Sequence, residues 1–195
     1  MKGMGLAGKF RKSCDAALAI DPNHIETLLD LMEFYYEAPG IAGGDKKKAA
    51  EIVQKVTTLN PARGYMAQAD LASREKKPDW KRIVDLNRKA VDSDPKNYNA
   101  KLALAGVFAL DTLKKYDQSE QLARAALALD PGRTGAYSVL AQLCALQDRW
   151  SDLDNVLAES EKANPDDLGP YYQAGRVLLL KQKDLPAPSA TSGST

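Results

Sequence analysis

Runs of apolar and small residues at helical spacing recur along the chain, and each run ends at an Asp-Pro or Asn-Pro pair. The spacings are 39, 34, 36 and 34 residues, and the prolines are Pro22, Pro61, Pro95, Pro131 and Pro165. Most side chains five and eight residues before each proline are small or apolar, so they share one face of an α-helix. Because the residue before a proline is pushed out of the helical region, each run predicts a helix that ends at the pair.

A second helix start stands fifteen residues before three of these prolines, at Trp80, Tyr116 and Trp150. Each aromatic residue has an Asp or Arg beside it and opens a helix that runs to the next proline. Another helix begins just past the preceding proline, as in 134–146. Each segment between prolines therefore predicts two helices of roughly 20 Å. With one helix before Pro22 and one after Pro165, the sequence predicts ten helices.

Two of the runs are nearly identical in sequence. The chain reads Ala-Ala-Leu-Ala-Ile-Asp over 16–21 and Ala-Ala-Leu-Ala-Leu-Asp over 125–130. Near-identity at a fixed period indicates one helix pair that is copied several times. A single pair cannot bury its apolar stripe, so the copies must stack on their neighbours. The expected fold class is therefore an all-α solenoid of antiparallel helix pairs.

A helix pair of 34 residues that closes on Asp-Pro or Asn-Pro resembles the tetratricopeptide repeat (TPR) family. The best-matching unit is 134–165, where the large, apolar, small, aromatic and proline positions of the family hold Tyr137, Leu140, Ala141, Trp150 and Pro165. The start of a further unit is matched by Tyr171, Ala174 and Gly175. The resemblance covers roughly residues 5–182 and implies a right-handed α-α superhelix.

Three places depart from the family pattern. Asn87 and Ser160 stand where an apolar residue or alanine is usual, and the Ala-Gln-Ala-Asp segment 67–70 fits its helix badly. The domain prediction is one repeat array over residues 1–183, with four full repeats and a half-repeat at each end. Residues 184–195 are small, polar and proline-rich, which predicts a disordered tail. An unpaired helix at each end suggests a fragment of a longer protein, or an array closed by a partner or by itself.

Charge and hydropathy exclude several function classes. The chain has 27 Lys and Arg against 26 Asp and Glu, a formal net charge of +1, so no global field attracts nucleic acid or a membrane surface. No apolar run approaches the length of a membrane span. The first residues lack the apolar core of a signal peptide, which favours the cytoplasm. A periplasmic or secreted protein stays open if an upstream signal peptide is missing.

The sequence predicts no catalytic, cofactor or metal site. His24 is the only histidine and stands in a turn, and Cys14 and Cys144 occupy helix-packing positions. No nucleophile has a recognisable base partner. The insert 35–48 predicts a structural loop in which Pro39 to Gly44 turn the chain and Asp45 caps the next helix. A phosphate site at that helix start is the weaker alternative. The insert resembles a run in bacterial TPR proteins, which indicates a bacterial origin.

By resemblance, the first helix of each pair lines a concave groove that binds a protein or peptide. The implied groove residues are Glu26, Leu29, Glu33, Tyr36, Asn99, Leu102, Gly106, Ser138, Gln142, Tyr172 and Arg176. TPR proteins that bind a terminal carboxylate carry a Lys/Asn/Arg clamp, and the corresponding positions here hold Leu29, Glu33, Leu102 and Gly106. The resemblance therefore excludes that partner class.

Three functions are compatible with the sequence. The leading prediction is a non-enzymatic scaffold that accepts a helix or an extended segment of a partner in its groove. The alternative is a structural subunit that oligomerises through exposed terminal helices. The third and weakest is an enzyme whose catalytic part lies outside this sequence.

Overall fold

The structure is a computed structural model that describes residues 2–183 of the 195-residue chain, with side chains from residue 5 to residue 182. The described residues form ten α-helices and one short 3₁₀ turn, and they contain no strand. This confirms the predicted helix count. The expected disordered tail, residues 184–195, lies outside the described residues.

The helices fall into two compact units, Met1–Ala100 and Lys101–Thr195. The first unit holds α1 (Lys2–Ile20), α2 (Ile25–Glu37), the 3₁₀ turn (Gly40–Ala42), α3 (Lys46–Leu59), α4 (Pro61–Ser73) and α5 (Trp80–Ser93). Helix α6 (Tyr98–Phe108) begins at the end of the first unit and continues into the second. The second unit also holds α7 (Tyr116–Leu129), α8 (Gly135–Leu146), α9 (Trp150–Ala163) and α10 (Gly169–Lys183).

The helix ends follow from local sequence chemistry. The predicted aromatic starts are confirmed, since Trp80, Tyr116 and Trp150 are the first residues of α5, α7 and α9. The helices α3, α4 and α5 are each preceded by an Asp or Asn whose side chain accepts a hydrogen bond from a backbone N–H of the first turn. The helices α3, α5, α7 and α9 each end two residues before a proline, as predicted.

The same turn is built twice in the second unit. Lys114 and Asp148 both have a positive φ, of 49° and 55°. Each stands two residues before the aromatic residue that opens the second helix of its pair, α7 or α9. Two copies of one left-handed turn, one repeat apart, show the repeat in the backbone as well as in the sequence.

Four of the five side chains that stand five residues before a proline are buried. Val56, Ala90 and Ala126 are fully buried and Ser160 is nearly so, whereas Ala17 is half-buried. Asn87 and Ser160, which depart from the family pattern, differ in their hydrogen bonding. The amide of Asn87 donates a hydrogen bond of 2.9 Å to the carbonyl of Ile83. The hydroxyl of Ser160 has no hydrogen-bond partner within the described residues.

Helix α4 is buried through small residues, which explains the segment that looked unfavourable in sequence. Ala67 and Ala69 are both buried. Gly64 lies so close to α3 that a Cβ added to it would stand 2.2 Å from the Cα of Thr57. Small side chains on α4 therefore let the backbones of α3 and α4 approach closely, and the expectation that 67–70 fits its helix badly is wrong.

Candidate functional site

Four of the predicted groove residues lie on α2 in the first unit, and two of them are held by ion pairs. Glu26 accepts a hydrogen bond of 2.7 Å from Arg63 of α4. Glu33 accepts one of 2.7 Å from Arg74, the residue that follows α4. Glu26 and Glu33 therefore connect α2 to α4 and its C-terminal end. Their carboxylates are already paired with arginines of the same chain.

Arg74 is shared among three carboxylates. It contacts Glu33 and Glu37 of α2 at 2.7 Å, and Asp70 of its own helix at 2.8 Å. The hydrogen bond to Glu33 is the main cause that raises the pKa of Arg74, against the opposing effect of burial; Glu37 and Asp70 raise it further. One guanidinium facing three carboxylates leaves this end of α2 with an excess of negative charge.

The other two α2 candidates belong partly to the core. Leu29 and Tyr36 both pack against a buried cluster of Met32, Ala49, Val53 and Ala67. The ammonium of Lys46 lies 4.7 Å from the centre of the Tyr36 ring, and the guanidinium carbon of Arg74 lies 5.9 Å from it. Tyr36 is thus a half-buried ring with cations near it, rather than a free aromatic anchor.

The α6 candidates are half-buried. Asn99 and Leu102 stand on the first turns of this helix, and Gly106 stands near its end. A Cβ added to Gly106 would meet no atom within 4 Å, so this position faces open space. A partner could approach the helix backbone closely there.

The remaining candidates are brought together on two helices that pack side by side. Ser138 and Gln142 are half-buried on α8, one turn apart. Tyr172 and Arg176 are exposed on α10, also one turn apart. The hydroxyl of Ser138 lies 3.1 Å from the position of a Cβ on Gly169, which places the start of α10 directly against α8. The four predicted residues therefore stand on two neighbouring helices, the two on α10 exposed and the two on α8 half-buried.

Helix α10 exposes an apolar face that the site prediction missed apart from Tyr172. Leu168, the residue directly before α10, is 67% exposed, and Tyr172 and Leu179 of the helix are 67% and 61% exposed. Their spacing of four and seven residues places them on one side. We call these three residues the outer face of α10. Ala174 and Val177 form the buried side. The sequence already contained this signal, because apolar residues lie on two sides of α10, whereas the structure buries only the side of Ala174 and Val177.

The insert behaves as a structural loop. Gly43 has a φ of 100°, and a Cβ on Gly44 would stand 1.7 Å from the carbonyl oxygen of Ala38. Asp45 caps α3 by accepting hydrogen bonds from the N–H groups of Lys47 and Lys48, at 3.0 and 3.2 Å. Two of the N–H groups that a phosphate would need therefore already have an acceptor.

The isolated chemical groups have structural partners. His24 precedes α2 and caps it, because its Nδ1 accepts a hydrogen bond of 3.3 Å from the N–H of Thr27. Burial raises the pKa of the Cys14 and Cys144 thiols, which disfavours the reactive thiolate. No three His, Cys, Asp or Glu side chains are grouped as metal ligands within the described residues. In the same part of the chain, no helix is both long and apolar enough to cross a membrane.

Paired helices, proline-punctuated ends and small residues between helices define a helical-repeat protein of the TPR type. Three solved structures are similar to this chain. TTC0263, a TPR protein of Thermus thermophilus, is 20% identical, with a TM-score of 0.65 over 88% of this chain and 92% of its own. YrrB, described as a TPR protein with an unusual peptide-binding site, is 14% identical, with a TM-score of 0.52 over 88% and 84%.

The third similar structure is MamA, which is 20% identical with a TM-score of 0.50 over 87% of this chain and 92% of its own. No family model and no curated protein matches the sequence. At these identities the likeness concerns the fold, and it confirms the predicted TPR fold.

Proposed function

We propose that the chain is a scaffold that binds a segment of another protein on the exposed side of its first helices. The observation that carries this proposal is the surface of α8 and α10. It combines the exposed side chains of Tyr172 and Arg176 with the polar side chains of Ser138 and Gln142. Tyrosine and arginine are the usual anchors of protein interfaces, and polar neighbours fix the register of a bound segment. The peptide-binding site named for YrrB, a protein of the same fold, supports the same class of partner.

The two units contribute differently to this proposal. On α2, Glu26 and Glu33 are paired with arginines and Tyr36 is half-buried, so binding there has to compete with contacts inside the chain. On α10, Tyr172 is 67% exposed. We therefore assign the principal anchor to Tyr172 and give Asn99, Leu102 and the α2 residues supporting roles. We assign the protein no catalytic step.

The test is capture followed by measured affinity. The immobilised full chain is exposed to a lysate of the source organism, and a captured protein is purified and titrated by calorimetry. We expect Tyr172→Ala to weaken binding by about 1–3 kcal/mol. The control is Asp154→Ala, at an exposed position of the second helix α9. Equal affinity of the parent chain and Tyr172→Ala, or a loss with Asp154→Ala alone, would remove α8 and α10 as the site.

A second candidate function is self-assembly, and the outer face of α10 favours it. Leu168, Tyr172 and Leu179 expose apolar surface on one side of a helix, and such surface is often an interface. Sedimentation separates the candidates. Self-assembly predicts a mass that rises with concentration in the parent chain and returns to that of a monomer in Leu179→Lys. A monomer at all concentrations would leave only the scaffold function.

A further inference from the structure

A cleft of about 530 Å³ opens between α1 and α2 in the first unit. Its apolar part consists of Phe10 from α1 and Phe34 from α2, whose ring centres lie 5.6 Å apart with the planes at 40°. Phe34 also meets Tyr35 edge-on at 5.6 Å. The rings of Phe10 and Phe34 therefore give the cleft an apolar surface on which a large side chain can pack, while Tyr35 supports Phe34 from outside the cleft lining.

The charged side chains that line this cleft are all acidic within the described residues. They are Asp30, Glu33 and Glu37, which α2 presents along the same side as Phe34. Asp30 is exposed, and the side chains of Glu33 and Glu37 are about half exposed. The carboxylates therefore stand in water at the edge of an aromatic surface, where a cation can reach them.

Glu33 and Glu37 retain acceptor capacity although Arg74 contacts both. Arg74 bonds the Oε1 atom of each carboxylate. A carboxylate has two oxygens and accepts several hydrogen bonds, so each can take a further donor through its Oε2 atom. The same arginine is already shared with Asp70, so Arg74 alone does not neutralise the carboxylates that it contacts. The guanidinium of Arg11 also lies near the Phe34 ring, since both stand within 4 Å of the Cβ position of Gly43.

The neighbouring contacts show how this part of α2 receives a cation. The guanidinium of Arg74 bonds Glu33 while its carbon lies 5.9 Å from the ring centre of Tyr36. A carboxylate and an aromatic ring on one helix thus hold a guanidinium between them. Asp30 and Phe34 stand one helical turn apart on the same helix and repeat this combination in the cleft.

We propose that the cleft between α1 and α2 binds a partner segment in which an arginine or lysine stands beside a large apolar side chain. The apolar side chain packs on Phe10 and Phe34, while the cation meets Asp30 and the free oxygens of Glu33 and Glu37. An acidic segment is repelled by the same carboxylates. The inference rests on the proposed scaffold function, since it assumes that the chain binds protein segments, and it adds a second site of defined chemistry.

The probe is the unlabelled peptide Gly-Ser-Leu-Arg-Phe-Arg-Gly-Ser, titrated into the full ¹⁵N-labelled chain and followed by amide shifts. Two control peptides replace both arginines by glutamate, or both Leu and Phe by serine. We expect the shifts to map to α1 and to residues 30–38, and both controls to bind at least tenfold more weakly. Shifts confined to other helices, or equal binding of the glutamate peptide, would overturn the inference.

Asp30→Lys is the decisive variant, because Asp30 is exposed and its replacement should leave the fold unchanged. The matched control is Asp154→Lys on α9, which adds the same charge far along the chain. We expect Asp30→Lys to weaken the basic peptide about tenfold and Asp154→Lys to leave its affinity within twofold. Equal affinities of the two variants would show that general charge, and not this cleft, attracts the peptide.

Two further outcomes separate this inference from the scaffold proposal. If Tyr172→Ala loses the captured partner and no peptide shifts appear at α1 and α2, the scaffold function stands and the cleft inference fails. If the peptide binds normally to Tyr172→Ala, the cleft is an independent site. Dimers that dissociate in Asp30→Lys would mean that a second copy of the chain occupies the cleft, and this would also overturn the inference.

Discussion

The hydroxyl of Ser119 donates a hydrogen bond of 2.7 Å to the backbone carbonyl of Ala105, and this bond ties α7 to α6. Ser119 is fully buried. A second buried serine, Ser160 on α9, has a hydroxyl without a partner in the described part of the chain. The second unit therefore contains two buried serines, of which Ser119 has a hydrogen-bond partner for its hydroxyl and Ser160 has none among the described residues.

The two serines should respond to alanine with opposite signs. Ser119→Ala removes a buried hydrogen bond and should lower the free energy of unfolding by about 1 kcal/mol. Ser160→Ala removes a buried group that gains nothing from the fold and should raise it by roughly 0.5–1 kcal/mol. Urea denaturation of both variants at pH 7 checks the pair. A loss of stability in Ser160→Ala would mean that its hydroxyl bonds to water or to the helix backbone.

Ala126 tests the packing between paired helices. Its side chain is fully buried on α7, while its neighbour Ala125 is exposed. Ala126→Glu buries a carboxylate between helices and should cost more than about 3 kcal/mol. Ala125→Glu carries the same charge and a similar helix propensity, so it should change stability by less than about 0.5 kcal/mol. Coinciding thermal melts of the two variants would show that Ala126 does not lie on the face of α7 that packs against neighbouring helices.

Much of this fold could be predicted, because its signals are local. Proline and the Asp or Asn before it end a helix wherever they stand, so the ends near Pro95 and Pro131 needed no tertiary information. The close contact of Gly64 with Thr57 could not be predicted, because it depends on how α3 and α4 meet. The sequence showed that segment 67–70 departs from the family pattern, but it did not show which neighbouring helix requires small residues there.

The candidate site was less predictable, because exposure depends on the whole structure. Glu33 and Tyr172 have equivalent roles in the sequence prediction. In the structure Glu33 is bound to Arg74, whereas Tyr172 is 67% exposed. A pairing 41 residues apart in the chain leaves no periodic signal. Phe10 was likewise missed, because only its contact with Phe34 reveals an aromatic cleft.

Glu120 should make the stability of the second unit depend on pH. Burial acts to raise the pKa of this carboxyl, but hydrogen bonds of 2.7 Å from Arg124 and Arg149 outweigh burial and lower it below its usual value. The folded-state pKa of Glu120 lies below the unfolded value, which is about 4.3 for Glu. The stabilisation that the ionised Glu120 gives to the folded state is therefore complete above the unfolded value. It is lost as the pH falls through the lowered folded-state pKa.

The measurement compares the parent chain with Glu120→Gln. We expect the variant to be less stable by about 1–2 kcal/mol at pH 7, since a charge-assisted hydrogen-bonded pair is removed. The difference should shrink as the pH is lowered below the unfolded-state value of about 4.3 and through the lowered folded-state pKa, because the parent carboxyl then loses its charge. Urea denaturation at pH 7 and at these lower pH values gives the differences. A difference that stays constant with pH would show that Glu120 acts through packing rather than charge.

Gly64 and Gly175 provide a final test of how closely helices approach, because both stand inside a helix and only one is crowded. A Cβ on Gly64 would lie 2.2 Å from the Cα of Thr57, which is a backbone atom that cannot move aside, while a Cβ on Gly175 would meet nothing within 4 Å. Gly64→Ala should therefore destabilise by more than about 2 kcal/mol through forced separation of α3 and α4. Gly175→Ala should stabilise by roughly 0.5–1 kcal/mol through helix propensity alone. The Tm and the urea midpoint should fall in Gly64→Ala and rise in Gly175→Ala. If Gly64→Ala matched Gly175→Ala, the close contact between α3 and α4 would not exist in solution.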